Sequence, residues 1–218
     1  MQIPTLKRES LQDAVARIIV EALITGELKP GDRINETELA QKAGISRGPV
    51  REALKQLEGE GILVSYPSKG TFVAKWTPKE VQEAYSLRAN LEEFAVEQVI
   101  QHFKPEDIAE LQLIVEKMSE NAKVNNIKGL IQLDIEFHER FYVLSGHSLL
   151  QSMLSQLRRR LYALHAMDQG YAVFKDQIAM DHQEIIDALI GGDPKIAGEV
   201  IKRHILKIGE QVTEQIQH

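Results

Sequence analysis

The sequence predicts a mainly α-helical protein built from two parts of different character. Hydrophobic residues recur at helical spacing along most of the 218 residues, and this periodicity indicates amphipathic helices. Short helical patterns interrupted by Gly and Pro precede Lys75-Trp76-Thr77-Pro78, whereas long helical patterns with short connections follow it. We therefore predict two domains, at residues 1–76 and 77–218.

The composition excludes several classes of protein. With 43% hydrophobic and 27% charged residues, the chain has the profile of a folded globular protein. The absence of cysteine excludes disulfides, thiol catalysis, zinc ribbons and cysteine-bound iron–sulfur clusters. The chain has no apolar run of the roughly 18 residues that a transmembrane helix needs, and residues 1–10 lack the apolar core of a secretory signal. We expect a cytoplasmic protein with no membrane partner.

The net charge of −6 argues against a nucleic-acid partner until it is divided between the two parts. Residues 1–80 carry 12 basic and 11 acidic side chains, whereas residues 81–218 carry 14 and 21. Attraction to phosphate depends on the local field rather than on the total charge. A small basic face in the first part therefore remains compatible with DNA binding.

The first part contains three helical patterns. Residues 10–25 form an amphipathic pattern that Gly26 ends. Asn35, with Glu38 three residues later, has the spacing of a capping box for a short helix through Ala43. Ser46 is expected to cap a third helix over residues 47–60.

Two β-rich runs follow the third helix, at residues 62–65 and 71–74, and the turn-forming segment 66–70 separates them. Three helices followed by a β-hairpin define a winged helix-turn-helix. Its third helix would enter the major groove of double-stranded DNA with its first residues near the base edges.

The charged side chains of this third helix suggest separate roles in DNA binding. Arg47 at its start suits a bidentate contact to guanine, and Arg51 and Lys55 further along suit phosphates. Lys69 at the tip of the hairpin would reach the backbone or an adjacent groove. The alternative for these charges taken alone is an ordinary solvated helix face.

The segment LKPGDRINETELAQKAGISRGPVREALKQLEGEGILVSYPSKGTFVA, residues 28–74, resembles the GntR family of bacterial transcription regulators. The resemblance implies operator contacts in the third helix and the wing, and one further contact at Thr37, where some relatives carry Arg. The implied DNA-binding residues are Thr37, Ser46, Arg47, Gly48, Pro49, Arg51, Lys69 and Gly70.

We predict that the second part forms an antiparallel six-helix bundle. Each helical pattern is followed by a short connection with a break signal such as Gly146 or Gly191-Gly192-Asp193-Pro194. The predicted helices are 78–102, 105–123, 127–145, 148–167, 171–190 and 193–216.

Four polar residues in this bundle have the spacing of a metal site. Asp134 and His138 are four residues apart and share a helix face. His182 and His204 each lie ten residues from the predicted turn between the last two helices, so they are level with one another. One carboxylate and three imidazoles suit a divalent metal ion such as zinc, nickel or manganese. The alternative for each histidine alone is an ordinary core residue.

Residues 80–213 resemble the FCD effector domain found in many GntR regulators, and the six predicted helices resemble its VanR-type branch. The resemblance implies a metal site at Asp134, His138, His182 and His204, and a small carboxylate effector. It also implies an effector contact at Arg88, for which the alternative is an ion pair with Glu92. His147 is expected to cap a helix, and His165 is a candidate for the cavity wall. At most one or two of the consecutive Arg158, Arg159 and Arg160 can face inward.

These observations predict a ligand-responsive bacterial transcription regulator, a repressor that binds operator DNA as a homodimer, and not an enzyme. Two alternatives use the same Asp/His site: a metal-dependent hydrolase or decarboxylase, and a DNA-binding dimer with a purely structural metal. Four protein ligands crowd a tetrahedral zinc ion, the chain has no HExxH motif, and no general base is spaced near the site, which argues against the enzyme.

Overall fold

In the computed structural model, the residues described are 10–100, 102–155, 157 and 174–216. The chain divides into two compact units, Met1–Lys75 and Trp76–His218. The side chain of Trp76 is buried, and this residue begins the second unit rather than ending the first.

The first unit contains three helices, α1 (Leu11–Ile24), α2 (Glu36–Ala43) and α3 (Arg47–Gly59). The side chain of Asn35 accepts hydrogen bonds from the first backbone N–H groups of α2, as its predicted capping role requires. Gly44 ends α2 with φ +65°, and this left-handed conformation starts the tight turn into α3.

Three short strands form the wing, β1 (Arg33–Ile34), β2 (Leu63–Tyr66) and β3 (Gly70–Val73). They form an antiparallel sheet in the order β1-β3-β2. The two predicted runs are each displaced by one residue, and β1 was not predicted because two residues carry no alternation of apolar and polar side chains. The core beneath the sheet is shared by α1 and α3 and includes Val15, Ile19, Leu23, Leu54 and Leu57.

The second unit is helical throughout its described part, and the fold class predicted from the sequence is confirmed. Its helices are α4 (Pro78–Val99), α5 (Pro105–Lys123), α6 (Ile127–Leu144), α7 (helical over residues 148–155), α8 (Lys175–Gly191) and α9 (Pro194–Ile216). None of these described helices is long and apolar enough to cross a membrane. The predicted end of the helix 148–167 and the predicted start of the helix 171–190 lie outside the described residues.

Two packing relationships bring distant residues together in this unit. Helix α9 packs along α4, and Gly209 allows the approach because a β-carbon there would stand 2.6 Å from Cβ of Tyr85. Helices α8 and α9 are joined by Gly192 and Asp193 and form a hairpin, while α6 contacts both α4 and α5. The inward faces of α4, α6, α8 and α9 thereby meet in one buried region.

Candidate metal centre and nucleic-acid interface

The inward face of α6 carries three polar side chains at intervals of four residues: Asp134, His138 and Tyr142. All three are buried, and residues four apart on a helix lie above one another on the same face. Since burial of polar groups is costly unless they find partners, this row requires compensating groups on the neighbouring helices.

The four predicted metal ligands converge at this row. Oδ1 of Asp134 lies 3.0 Å from Nε2 of His182 and 3.8 Å from Nε2 of His138. One potential ligand atom from each of these residues and from His204 lies within 4.8 Å of the others. None of the four residues is more than 8% exposed, so the cluster is built inside the helical unit.

Three imidazole nitrogens in the cluster are buried without a hydrogen-bond partner: Nε2 of His138, of His182 and of His204. For His182 the tautomer follows from its other nitrogen, because Nδ1 lies 2.7 Å from the carbonyl oxygen of Ile178, which only accepts. In the neutral ring Nε2 therefore presents a lone pair. That lone pair lies beside a carboxylate oxygen, and a cation between the two would convert repulsion into attraction.

Glu92 of α4 orients His138 in a similar way. Oε2 of Glu92 lies 2.6 Å from Nδ1 of His138, and Oε1 accepts hydrogen bonds from Tyr142 and from Nε of Arg88. Burial raises the pKa of Glu92, but the charge of Arg88 and the contacts with His138 and Tyr142 outweigh burial and lower that pKa to about 2. The ionised carboxylate holds the proton of His138 on Nδ1 and turns Nε2 toward the cluster.

The imidazole of His204 is held neutral. Burial lowers its pKa well below the usual range, and any positive charge on His182 and His138 lowers it further. A neutral imidazole is the form that binds a metal ion. Three such nitrogens and one carboxylate oxygen are a donor set that fits a borderline divalent cation, so the buried Asp/His cluster is compatible with a metal site.

An open cleft between α8 and α9 reaches the cluster. The space that it encloses is about 100 Å³, and Asp134, His182 and His204 form its inner end. The other described residues of its wall are Phe174, Gln177, Ile178, Asp181, Lys207, Ile208 and Gln211. A small molecule entering from solvent would therefore meet the proposed ligands directly.

Arg88 does not belong to the described wall of this cleft. Its side chain is buried, and Nε lies 2.5 Å from Oε1 of Glu92, which is the ion pair considered as the alternative to an effector contact. His147 caps α7, because its Nδ1 accepts a hydrogen bond from the N–H of Leu150. The four candidates His165, Arg158, Arg159 and Arg160 lie outside the described residues.

The start of α3 presents the side chains predicted to contact DNA. Ser46, Arg47 and Gly48 are exposed, and Pro49 is half-buried. Ser46 occupies the N-cap position, but its side chain makes no capping hydrogen bond, which differs from the prediction. The N-terminal N–H groups of a helix that lack such a cap can bind an anion such as a phosphate.

Arg51 is exposed but is engaged by an acidic neighbour. Its Nη2 lies 2.9 Å from Oε1 of Glu36, and its Nε lies 3.4 Å from Oε2 of the same carboxylate. Thr37, next to Glu36, is exposed, and its N–H donates to the Asn35 cap. A phosphate would have to compete with Glu36 for the guanidinium of Arg51.

The wing brings an additional arginine to the predicted contact residues. Lys69 is exposed at the tip, and Gly70 follows it with φ +105°. A β-carbon at Gly70 would stand 3.2 Å from Nε and 3.3 Å from Nη2 of Arg33. Sequence reasoning missed Arg33 because only the pairing of β1 with β3 places it at the wing tip, and the isolated charge gave no periodic signal.

Comparison with known proteins agrees with both units. The family model for bacterial regulatory proteins of the gntR family matches residues 11–73, and the FCD domain model matches residues 83–207. The uncharacterized HTH-type transcriptional regulator YdhC of Bacillus subtilis is 30% identical over 198 residues, which cover 90% of this chain and 86% of YdhC. The gluconate operon transcriptional repressor of Bacillus licheniformis is 30% identical over 153 residues, 70% of this chain and 63% of the repressor.

A solved structure with the same fold is that of McbR/YncC of E. coli, with a TM-score of 0.81, 25% sequence identity, and coverage of 96% of this chain and 99% of McbR/YncC. A winged helix-turn-helix followed in the same chain by a helical domain is the architecture of a two-domain transcription regulator. The chain belongs to the GntR family of these regulators and carries its FCD domain. It is a regulator and not an enzyme.

Proposed function

We propose that this regulator binds operator DNA as a homodimer and responds to a small carboxylate that binds beside a divalent metal ion in the helical unit. One observation carries the sensor part of the proposal. Three buried imidazole nitrogens without hydrogen-bond partners converge with the carboxylate of Asp134. Of these residues Asp134, His182 and His204 line the inner end of a cleft that opens to solvent.

Asp134, His138, His182 and His204 would hold the metal ion, which we propose to be zinc, nickel or manganese. The bound ion would supply positive charge and coordination positions for a carboxylate oxygen. A purely structural metal is the less favoured alternative, because Asp134, His182 and His204 face the cleft and a structural site is normally closed to ligands. We assign Arg88 to the support of Glu92 rather than to effector binding.

For DNA, we propose that the start of α3 reads base edges while the wing holds the backbone. Arg47 is exposed at the first position of α3, and no ion pair engages it in the described part of the chain. Ser46, Gly48, Pro49 and Arg51 belong to the same contact. The proposed interface also includes Thr37, Lys69 and Gly70. The structure adds Arg33 to this set.

The two heads of a homodimer would read two half-sites roughly 34–36 Å apart or at a related spacing. Effector binding changes operator affinity only if the effector binds the two states of the dimer differently, and operator DNA then changes effector affinity by the same factor. We propose repression relieved by the effector, which the likeness to a gluconate operon repressor supports. Since operator DNA lies in the bacterial cytoplasm, the protein would act there.

A binding titration tests the whole proposal. The full-length protein is used to select duplexes from a random-sequence pool, and fluorescence anisotropy then measures its affinity for the selected duplex with and without metal and small carboxylates. We expect a carboxylate to change operator affinity only when the metal is present. If metal alone raised thermal stability while every tested carboxylate left operator affinity unchanged, the structural-metal alternative would replace the sensor.

The DNA interface is tested separately by Arg47→Ala. We expect the loss of about 1–3 kcal/mol of binding to the selected duplex and little change in binding to a scrambled duplex, because a base contact carries specificity. Arg17→Ala is the control, since Arg17 pairs with Glu21 on α1. Equal effects of the two substitutions would contradict the assignment.

A further inference from the structure

We propose that Lys207 and Asp181 together recognise a hydroxyl group of the effector, and that the effector is therefore a small hydroxy acid rather than a plain fatty acid or a dicarboxylate. This inference rests on the proposed carboxylate effector and adds the chemical class of the rest of that molecule. Its basis is the arrangement of polar groups along the cleft between α8 and α9.

The cleft follows helix α9 outward from the cluster. His204 lies at the inner end, and Lys207 and Gln211 come three and seven residues later on the same helix. At about 1.5 Å per residue, Lys207 is displaced about 4.5 Å along the axis from His204, and Gln211 about 10 Å. A carboxylate placed at the cluster would therefore extend its carbon chain along α9 toward Lys207 and Gln211.

Lys207 faces an acidic partner across the cleft. Its Nζ lies 2.9 Å from Oδ2 of Asp181 on α8, and the side chains are 46% and 27% exposed. Both groups remain accessible from solvent, so they offer a strong donor and a strong acceptor at one place. An exposed ion pair of this kind contributes little to stability, which leaves it available for a ligand.

A hydroxyl group matches this pair better than the alternatives do. Its oxygen accepts from the ammonium group of Lys207 while its O–H donates to the carboxylate of Asp181, so both groups gain a hydrogen bond. A second carboxylate would gain Lys207 but would lie against the like charge of Asp181. A methyl or methylene group would remove water from both charges without replacing it.

The remaining described wall fits the same class of molecule. Gln177 and Gln211 carry amides that both donate and accept hydrogen bonds, whereas Ile178 and Ile208 offer apolar surface to a carbon chain. A few polar groups that converge on an otherwise apolar cleft are the usual arrangement in a small-molecule site. The wall thus suits a short carbon chain with hydroxyl groups along it.

Three four-carbon acids separate the possibilities: butanoate, succinate and threonate, which is the 2,3,4-trihydroxy acid. Isothermal titration calorimetry would measure the binding of each to the full-length protein carrying the metal it retains on purification. We expect threonate to bind about tenfold or more tightly than butanoate, because hydrogen bonds to charged groups are worth about that factor. Succinate should bind more weakly than threonate.

Two substitutions in the cleft and one outside it complete the experiment. The measured quantity is the ratio of the affinity for threonate to the affinity for butanoate. Lys207→Met should reduce this ratio to near one, and Asp181→Asn should reduce it while strengthening the binding of succinate. Arg203→Met is the control, because Arg203 pairs with Glu184 on the same two helices but does not line the cleft. Thermal unfolding and metal content, measured for each variant, verify that it is folded and loaded.

The inference is overturned if both cleft variants retain the wild-type ratio, or if succinate binds the wild-type protein more tightly than threonate does. If all three acids bind equally well, the carboxylate site survives and only the hydroxyl recognition is lost. If none of the three binds the metal-loaded protein although metal is present in stoichiometric amount, the inference is overturned and the proposed small-carboxylate effector fails with it.

Discussion

Nδ1 of His138 lies 2.6 Å from Oε2 of Glu92, and the two residues are 46 positions apart in the chain. The carboxylate fixes which ring nitrogen of His138 carries the proton and points the other into the Asp/His cluster. Arg88 and Tyr142 hold Glu92 in turn. The cluster therefore depends on a buried acidic residue that would not itself touch the metal.

Glu92→Gln should lower metal affinity about 10–100-fold, because a neutral amide orients the histidine less firmly and makes it a weaker ligand. It should also destabilise the helical unit by about 3–5 kcal/mol, since the buried charge of Arg88 loses the opposite charge of the Glu92 carboxylate. Competition with a chromophoric chelator measures the affinity, and chemical denaturation of the metal-free protein measures the stability.

Glu93→Gln is the matched control, because the neighbouring Glu93 pairs with Lys202 at a partly exposed position. Tyr142→Phe is the milder companion variant, since it removes one hydrogen bond to Glu92 and keeps the charges. Glu92 would have no positioning role if Glu92→Gln bound metal as tightly as Glu93→Gln does.

His182→Ala should abolish the stabilisation that metal provides. A site with metal at about 100 times its dissociation constant gains about 2.7 kcal/mol of stability, and this gain raises the melting temperature of the wild-type protein. We expect a chelator to lower the melting temperature of the wild type and of His102→Ala, whose exposed side chain is outside the cluster, but not that of His182→Ala. Elemental analysis showing wild-type metal content in His182→Ala would refute the ligand assignment.

The sequence alone predicted the fold class and the proximity of the four residues of the Asp/His cluster, because both follow from the spacing of residues along helices. Asp134 and His138 share a face by their spacing, and His182 and His204 are level because the turn between their helices is short. The sequence suggested Glu92 only as a partner of Arg88. Its contact with His138 was not predicted, because α4 has several acidic residues and only the packing of α4 against α6 selects one of them. The predicted VanR-type helix count stays a prediction, since residues 158–173 lie outside the described chain.

The wing shows why some binding residues are not visible in a sequence. Arg33 on β1 lies opposite Phe72 on β3. Its guanidinium reaches Gly70, which is also on β3. Neither a two-residue strand nor a cross-strand approach produces a pattern in the chain. Similarly, the pairing of Lys207 with Asp181 depends on how α8 and α9 face one another, which spacing alone does not determine.

Arg33→Ala should weaken DNA binding uniformly across sequences, because a guanidinium at the wing tip contacts phosphate rather than base edges. The slope of log affinity against log salt concentration should become shallower by about 0.9, the amount expected for one lost phosphate contact. Anisotropy titrations over a range of salt concentrations measure both quantities, with Arg17→Ala as the control. An unchanged slope would remove Arg33 from the interface.

Gly209→Ala should destabilise the helical unit although alanine normally favours a helix. The new β-carbon would stand 2.6 Å from Cβ and 2.8 Å from Cγ of Tyr85, and Tyr85 is fully buried, so helices α4 and α9 would have to separate. Overpacking of this kind costs about 1–3 kcal/mol, which chemical denaturation measures.

Gly191→Ala is the matched control for this packing contact, because Gly191 lies at the end of α8 with no atom within 4 Å of an added β-carbon. There the loss of backbone freedom in the unfolded chain should stabilise the protein by about 0.4–1 kcal/mol. The two substitutions are chemically identical, so opposite signs would isolate the contact between Gly209 and Tyr85. A stabilising Gly209→Ala would instead mean that α4 and α9 are not packed closely at this point.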